Sequence, residues 1–283
     1  MHHDLISGNY THSDYKYFCI SDTKKRSIHN ALMRDKVVHR VLFNSVHHAI
    51  EENFIFHSYS SIKNKGSHKM LNYINKCAKN IFYNKQCFIL HLDVRKYFES
   101  IDHTILKEIL NPYLKNKELI FLTNQIIDSF CYSKNKGIPL GNITSQLFAN
   151  LYLSDLDWFS IRNLGCEMYA RYNDDIFIVH SDKLYLENVS TEIADWVKQN
   201  RLLEIPNEKI NLHKYLQKIS VLGYIVSPDE VLIKNFTKQR IFENISDKNS
   251  ASYFGLLSHC KDTVLNQKVR SVYESDGLDF MLD

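Results

Sequence analysis

Glycine and proline are scarce: 8 and 4 in 283 residues. So few chain-breaking residues favour a helix-rich structure in which each glycine has a positional reason. Long apolar runs are also missing. No stretch approaches the ~18 residues needed for a spanning helix, and the opening Met1-His2-His3-Asp4 is not a secretory leader. The six cysteines, at 19, 77, 87, 131, 166 and 260, contain no C-x-x-C pair. That spacing argues against a zinc site or a disulfide framework, and for reduced thiols in a cytoplasmic protein without a membrane span. The adjacent pairs His2-His3 and His47-His48 diverge on a helix, which disfavours them as metal ligands. A net charge of +3 does not by itself mark a nucleic-acid binder. Repeats, low-complexity tracts and Pro/Gly-rich linkers are absent as well, so the length fits one large domain or two small ones.

What is present is an uneven charge distribution in a chain of ordinary globular composition, 44% apolar and 24% charged. Residues 1–90 carry 13 Lys/Arg against 6 Asp/Glu, a local charge of +7, and the remainder carries −4. A basic first third beside an acidic remainder suits a polyanion-binding lobe next to a carboxylate centre. The stretch 234–270 is basic again, with 7 Lys/Arg against 3 Asp/Glu.

Periodicity predicts helices over 29–57, 68–83, 103–111, 115–131, 144–159 and 183–200, with a helical stretch over 236–270. Cys87–Leu92 reads as a buried strand that stops at Asp93. Residues 167–171 and 175–179 read as a hairpin, and short strands are predicted near 202–206, 219–226 and 230–234. Strands separated by helices, with hairpins late in the chain, indicate an α+β sheet layer backed by helices.

The chemistry concentrates in three carboxylates. Asp93 ends one apolar strand, and Asp174-Asp175 sit at the tip of the hairpin. If the strands are neighbours, the three acids meet at one rim. Hard divalent ions such as Mg²⁺ take oxygen ligands, and two ions about 3.5–4 Å apart stabilise the attacking and leaving oxygens of a phosphoryl displacement. Asp-Asp alone is an ordinary turn sequence. An acid pair between two apolar strands has no packing reason.

Arg171-Tyr172-Asn173-Asp174-Asp175 resembles the Y-x-D-D signature of reverse transcriptases. Phe88-Ile89-Leu90-His91-Leu92-Asp93-Val94-Arg95-Lys96-Tyr97-Phe98 resembles their first palm motif, a strand followed by D-x-x-x-x-[FY]. Gly137-Ile138-Pro139-Leu140-Gly141-Asn142-Ile143-Thr144-Ser145-Gln146 resembles the loop–helix motif between the two. The resemblance runs over about residues 18–265 and implies an RNA-directed DNA polymerase, a two-metal nucleotidyltransferase with a right-hand fold. Its lobes would be basic fingers over 1–86, a palm of antiparallel sheet backed by helices over 87–226, and a palm hairpin end with a minimal thumb over 227–283. Two Mg²⁺ ions, with Mn²⁺ as a substitute, would be held by Asp93, Val94, Asp174 and Asp175. Phe98 would exclude the ribose 2′-OH, and Arg26 with Lys24 would grip the incoming dNTP. Leu140, Gly141, Gln146 and Val94 would line the nucleotide and template–primer site, with Thr144 or Ser145 capping the helix behind. Lys209 would protonate departing pyrophosphate, and Val221-Leu222-Gly223-Tyr224 would support the primer end.

An apolar Leu140 before Gly141, with Ser145-Gln146 closing the motif, resembles the enzymes of diversity-generating retroelements, where it accompanies misincorporation opposite template adenines. A stand-alone defence-associated enzyme making antiviral cDNA or untemplated DNA shares this variant, and an idle RNA-binding scaffold is a third reading. The V-T-G signature of retron enzymes is missing after the Asp pair. The chain nearly starts at the fingers, carries no further enzymatic segment after the thumb and ends acidic (Glu274, Asp276, Asp279, Asp283). Template RNA and nascent cDNA are the implied partners, with an accessory protein or structured non-coding RNA supplying what so short a chain lacks.

Overall fold

The protein is described here as a computed structural model covering residues 2–21, 25–227, 230–257, 260 and 263–275. Lys24, Ser258, His259 and the acidic residues Asp276, Asp279 and Asp283 lie outside the described residues. The chain opens with helix α1 (His2–Ile6) and an antiparallel ribbon of β1 (Lys16–Ser21) and β2 (Lys25–Asn30). Helices α2 (Met33–Glu51) and α3 (Ser67–Phe82) lead to β3 (Phe88–Asp93). Helices α4 (Tyr97–Ser100), α5 (His103–Leu110), α6 (Lys117–Asp128), α7 (Ile143–Tyr152) and α8 (Ser154–Arg162) precede the hairpin of β4 (Tyr169–Tyr172) and β5 (Asp175–His180). Then come α9 (Lys183–Arg201), β6 (Ile210–Lys214), β7 (Ile219–Val221), β8 (Tyr224–Val226) and β9 (Val231–Ile233). Helices α10 (Asn235–Asn244), α11 (Asp247–Leu257) and α12 (Thr263–Ser275) complete the described chain.

The central sheet has the order β4-β5-β3-β6, and every pair in it is antiparallel. Both of its faces are covered, which is why β3 and β5 read as near-continuous apolar runs rather than alternating ones. Phe88, Leu90 and Leu92 of β3, with Ile176 and Ile178 of β5, enter one core with α2 and α5–α9. Ile89 of β3, with Ala170, Phe177 and Val179, enters a second core with α3 and the three-stranded β7-β8-β9 sheet. Residues i, i+2 and i+4 share a face, so Ile89, His91 and Asp93 are aligned. The buried half of that face lies under α3, and the other half carries His91 and Asp93 toward open space.

Local chemistry explains the helix boundaries. Asp182 caps α9 by accepting from Leu184 N and Tyr185 N, and Asp102 caps α5 through Thr104 N and Ile105 N. Asn116 caps α6 through Leu119 N. These side chains satisfy amides that have no intrahelical acceptor.

Several expectations change. The helix predicted over 29–57 is α2 alone: residues 29–30 belong to β2, and the helix ends at Glu51. The helix predicted over 144–159 is two, α7 and α8, broken where Leu153 leaves helical geometry (φ −107°, ψ 6°). The strand predicted near 202–206 does not form, because Leu202 takes a left-handed conformation (φ +53°) and ends α9. The strand is instead β6, whose residues are half-exposed at the sheet edge, so it lacks a strong apolar signal. Neither Thr144 nor Ser145 caps α7. Asn142 holds the N-terminal position, and its amide is committed elsewhere, accepting from Ala31 N (3.0 Å) and donating to His29 O (2.8 Å). Thr144 Oγ1 bonds His39 Nδ1 at 2.6 Å instead. None of the six cysteines is in a disulfide among the described residues, and four of them are buried. No helix among the described residues is long and apolar enough to cross a membrane.

The 137–141 loop is sewn to the β1–β2 ribbon by His29 N donating to Leu140 O at 2.9 Å. Gly141 makes that approach possible: its φ is +114°, and a Cβ there would stand 2.8 Å from Ile28 Cγ2. Gly141→Ala is therefore expected to destabilise the protein by roughly 1–3 kcal/mol in urea unfolding. In a double-mutant cycle Ile28→Ala should recover the contact part of that loss and leave the backbone part.

Candidate active site

Asp93 and Asp175 are direct register partners at the ends of β3 and β5, and Asp174 occupies the β4–β5 turn beside them. Tyr172 is paired with Asp175 across that hairpin. The turn needs a left-handed residue and has Asn173 there (φ +52°), a side chain that tolerates this region better than most. Three carboxylates thus stand at one rim because the strand alternation and the register put them there.

The flanking acids each have a protein partner. Lys209, on the turn before β6, donates from Nζ to Asp93 Oδ1 at 2.7 Å and to the Val94 carbonyl at 3.3 Å. His91 Nε2 bonds Asp175 Oδ1 at 2.7 Å, and its ring stacks on Phe177 with centroids 4.3 Å apart. Asp174 has neither partner, and its carboxyl is pushed up to about 7 by burial, then by the charges of Asp175 and Asp93, with Lys209 pulling weakly the other way.

Among the described residues, no three His, Cys, Asp or Glu side chains are gathered closely enough to form a finished metal cage. Asp93 is turned to Lys209 and Asp175 to His91. The donors nevertheless fit a hard divalent cation. They are oxygen atoms, burial and then their mutual repulsion raise one carboxyl, and an ammonium rests on Asp93 and the Val94 carbonyl, where positive charge is favoured.

The rim opens into a cleft of about 460 Å³ lined by Arg26, Asp93, Tyr172, Asp175, Gly223 and Lys234, among others. Arg26 is exposed on β2 and faces this cleft. Lys25 belongs to the same strand. Leu222 and Gly223 form the tight β7–β8 turn with positive φ (+47° and +90°), and both line the cleft. Phe98 is half-buried against the core, edge-on to Tyr97, and its carbonyl accepts from Ile138 N at 2.8 Å. It is not among the residues lining the cleft. Leu140 is half-buried, Gln146 is exposed on an otherwise largely buried α7, and the close approach that Gly141 permits is to Ile28. Val94 is buried and contributes its carbonyl.

His91 was not singled out from the sequence. The available signal was its place two residues before Asp93 on an apolar strand, where a polar side chain on the same face as the acid has a partner to find.

The raised Asp174 carboxyl gives a pH test. Its folded value lies above the ordinary one, so the folded state holds an extra proton between about pH 4 and 7, and stability falls as pH rises through that window. Asp174→Asn removes this penalty. In ion-free buffer at pH 8 the variant should melt roughly 2–4 °C above wild type, with a smaller gap at pH 5. An equal gap at both pH values would contradict the assignment.

Residues 21–226 match the family of reverse transcriptases (RNA-dependent DNA polymerases). Similar curated proteins include a retron Ec73 reverse transcriptase of Escherichia coli, 26% identical over 67% of this chain and 59% of its own length. Another is the group II intron-encoded protein LtrA of Lactococcus lactis, 26% identical over 77% of this chain and 38% of its own. The chain thus spans less than two thirds of the length of these relatives. Among solved structures, telomerase from Candida albicans, in complex with a fragment of telomeric RNA, superposes with a TM-score of 0.63 over 95% of this chain and 53% of its own, at 12% identity. That likeness shows the right-hand polymerase fold, with an antiparallel palm-like sheet. The three acids stand on this sheet, and the family match spans both of the strands that carry them: the chain belongs to the reverse transcriptase family.

Proposed function

We propose that the chain is an RNA-directed DNA polymerase, extending a primer 3′-OH with deoxynucleotides along an RNA template. The observation that carries this reading is the placement of Asp93, Asp174 and Asp175 at one sheet rim, where Asp93 and Asp175 line a cleft reached by Arg26 and Lys234. Residues 1–86 serve as fingers, 87–226 as palm, and 227–283 as palm hairpin end and thumb, although β8 and β9 pair across the last boundary.

Asp93, Asp174, Asp175 and the Val94 carbonyl would hold two Mg²⁺ ions, or Mn²⁺ in their place. When bound, the ions supply charge neutralisation to the attacking 3′-oxygen and the leaving phosphate oxygens. The chain's own residues position the reactants. Arg26 directs a guanidinium fork at the triphosphate. Lys209, released from Asp93, is within the site to protonate departing pyrophosphate. Phe98 is assigned exclusion of the ribose 2′-OH by its aromatic ring, on its place five residues after Asp93 in the palm motif. The overall step forms a bond from the 3′-oxygen to the α-phosphorus, breaks the α–β phosphoanhydride and releases pyrophosphate. Catalysis is mostly orientation and electrostatics.

The finer reading is an error-prone enzyme of a diversity-generating retroelement, working with an accessory protein or structured RNA. It is supported by Leu140, an apolar side chain without amide hydrogen bonds, at the loop that the β2 backbone holds in place. Similarity to retron and group II intron proteins supports the polymerase activity without separating these subfamilies.

Primer extension on a defined RNA tests the main reading. Asp93→Ala or Asp174→Ala should reduce extension by roughly 10³-fold or more while the fold is retained. Near-normal synthesis by either folded variant would remove these residues from the centre. Sequencing of cDNA tests the finer reading: Leu140→Gln should lower misincorporation opposite template adenine, and an unchanged error spectrum would count against it.

A further inference from the structure

Arg171 is the largest fully buried side chain among the described residues. Burying a guanidinium is expensive unless its charge and donors are matched, and here they are. Nε and Nη2 form a fork on Asp157 of α8, at 2.6 Å to Oδ1 and 2.7 Å to Oδ2. Nη1 donates to Asn150 Oδ1 of α7 at 2.9 Å, and Nη2 to the Asn150 carbonyl at 3.0 Å. The remaining bond runs from Nη1 to the Asn173 carbonyl at 2.9 Å. Asn173 is the left-handed residue of the turn, directly before Asp174.

The partners are themselves fixed. Tyr169 OH donates to Asp157 Oδ1 at 2.7 Å, and Asn150 Nδ2 donates to Ser60 O at 3.0 Å. The Arg171 backbone is also paired on both sides, its N–H to His57 O (3.1 Å) and its carbonyl from Tyr59 N (2.9 Å). One side chain therefore ties α7, α8 and the acid-bearing turn together from the face opposite the cleft.

We propose that Arg171, with Asp157 and Asn150, is a positioning set that holds the Asn173–Asp175 turn, so that the location of the catalytic carboxylates is set from the buried side of the sheet. The inference rests on the polymerase reading for its functional consequence, and on the hydrogen bonds alone for its structural one. A turn without the Arg171–Asn173 bond keeps its carboxylates but loses their placement. Misplacement by about 1 Å costs roughly 100-fold in rate.

The test uses the full chain and two variants. Arg171→Lys keeps a cation but loses the planar fork. Asn150→Ala removes one acceptor and leaves the Asp157 fork, so it carries the test alone if Arg171→Lys does not fold. Hydrogen exchange at the amides of residues 173–175, Mn²⁺ affinity by electron paramagnetic resonance, and kcat and KM for dNTP in primer extension are measured on each. Exchange at the turn should accelerate by roughly tenfold relative to the core amides of β3. Mn²⁺ should bind several-fold more weakly, and kcat should fall roughly 10- to 100-fold with KM changed by less than about threefold. A folded variant with a lower melting point, but with wild-type turn exchange, ion affinity and kcat, would overturn the proposal and leave Arg171 a purely structural residue. A wild-type chain that copies no RNA would overturn the polymerase reading instead, and turn exchange with Mn²⁺ affinity would still decide the role of Arg171.

Discussion

The antiparallel register that sets Asp93 opposite Asp175 decides where the remaining groups of the site stand. A shift of one residue would send Asp93 and His91 to the helix-packed face and bring Leu90 and Leu92 to the rim. The apolar alternation opposes that slip from both sides, because Leu90, Leu92, Ile176 and Ile178 fill one core while Ile89, Phe177 and Val179 fill the other. Packing therefore enforces a geometry with electrostatic strain: burial, then the charges of Asp175 and Asp93, push the Asp174 carboxyl up to about 7.

The protein handles that strain with internal partners. Lys209 neutralises Asp93, His91 engages Asp175, and the Asp174 carboxyl is pushed up to about 7 by burial and by the two neighbouring acids. A cation held at this rim would compete with each of these interactions. Arg171 has a different relation to the site. It is matched entirely from behind, by Asp157 and Asn150, and touches the rim only through the Asn173 carbonyl.

Much of this was legible in the residues. Strand β3, the hairpin around Asp174-Asp175 and helices α3 and α9 followed from periodicity and abrupt ends of apolar runs. What was not legible depended on long-range partners. Leu202 looks like a strand residue and instead terminates α9 in a left-handed conformation, which moved the next strand to 210–214. The break at Leu153 has no glycine or proline to announce it. Thr144 was expected to cap α7 yet bonds His39, and Asn142, which takes the N-terminal position, is committed to Ala31 N and His29 O. The carboxylates themselves were readable from the motif. Their partners, 84 residues away for His91–Asp175 and 116 for Asp93–Lys209, were not.

The central claim is that this rim is a divalent-ion centre for RNA-templated DNA synthesis. Single-nucleotide incorporation onto a primer annealed to RNA, followed while Mg²⁺ is titrated, tests it most directly. The account predicts addition of the deoxynucleotide matching the next template base, with a rate that rises with Mg²⁺ and saturates. Incorporation that ignores both the template base and the ion, or none at any Mg²⁺ concentration from a folded chain supplied with primer and template, would contradict it.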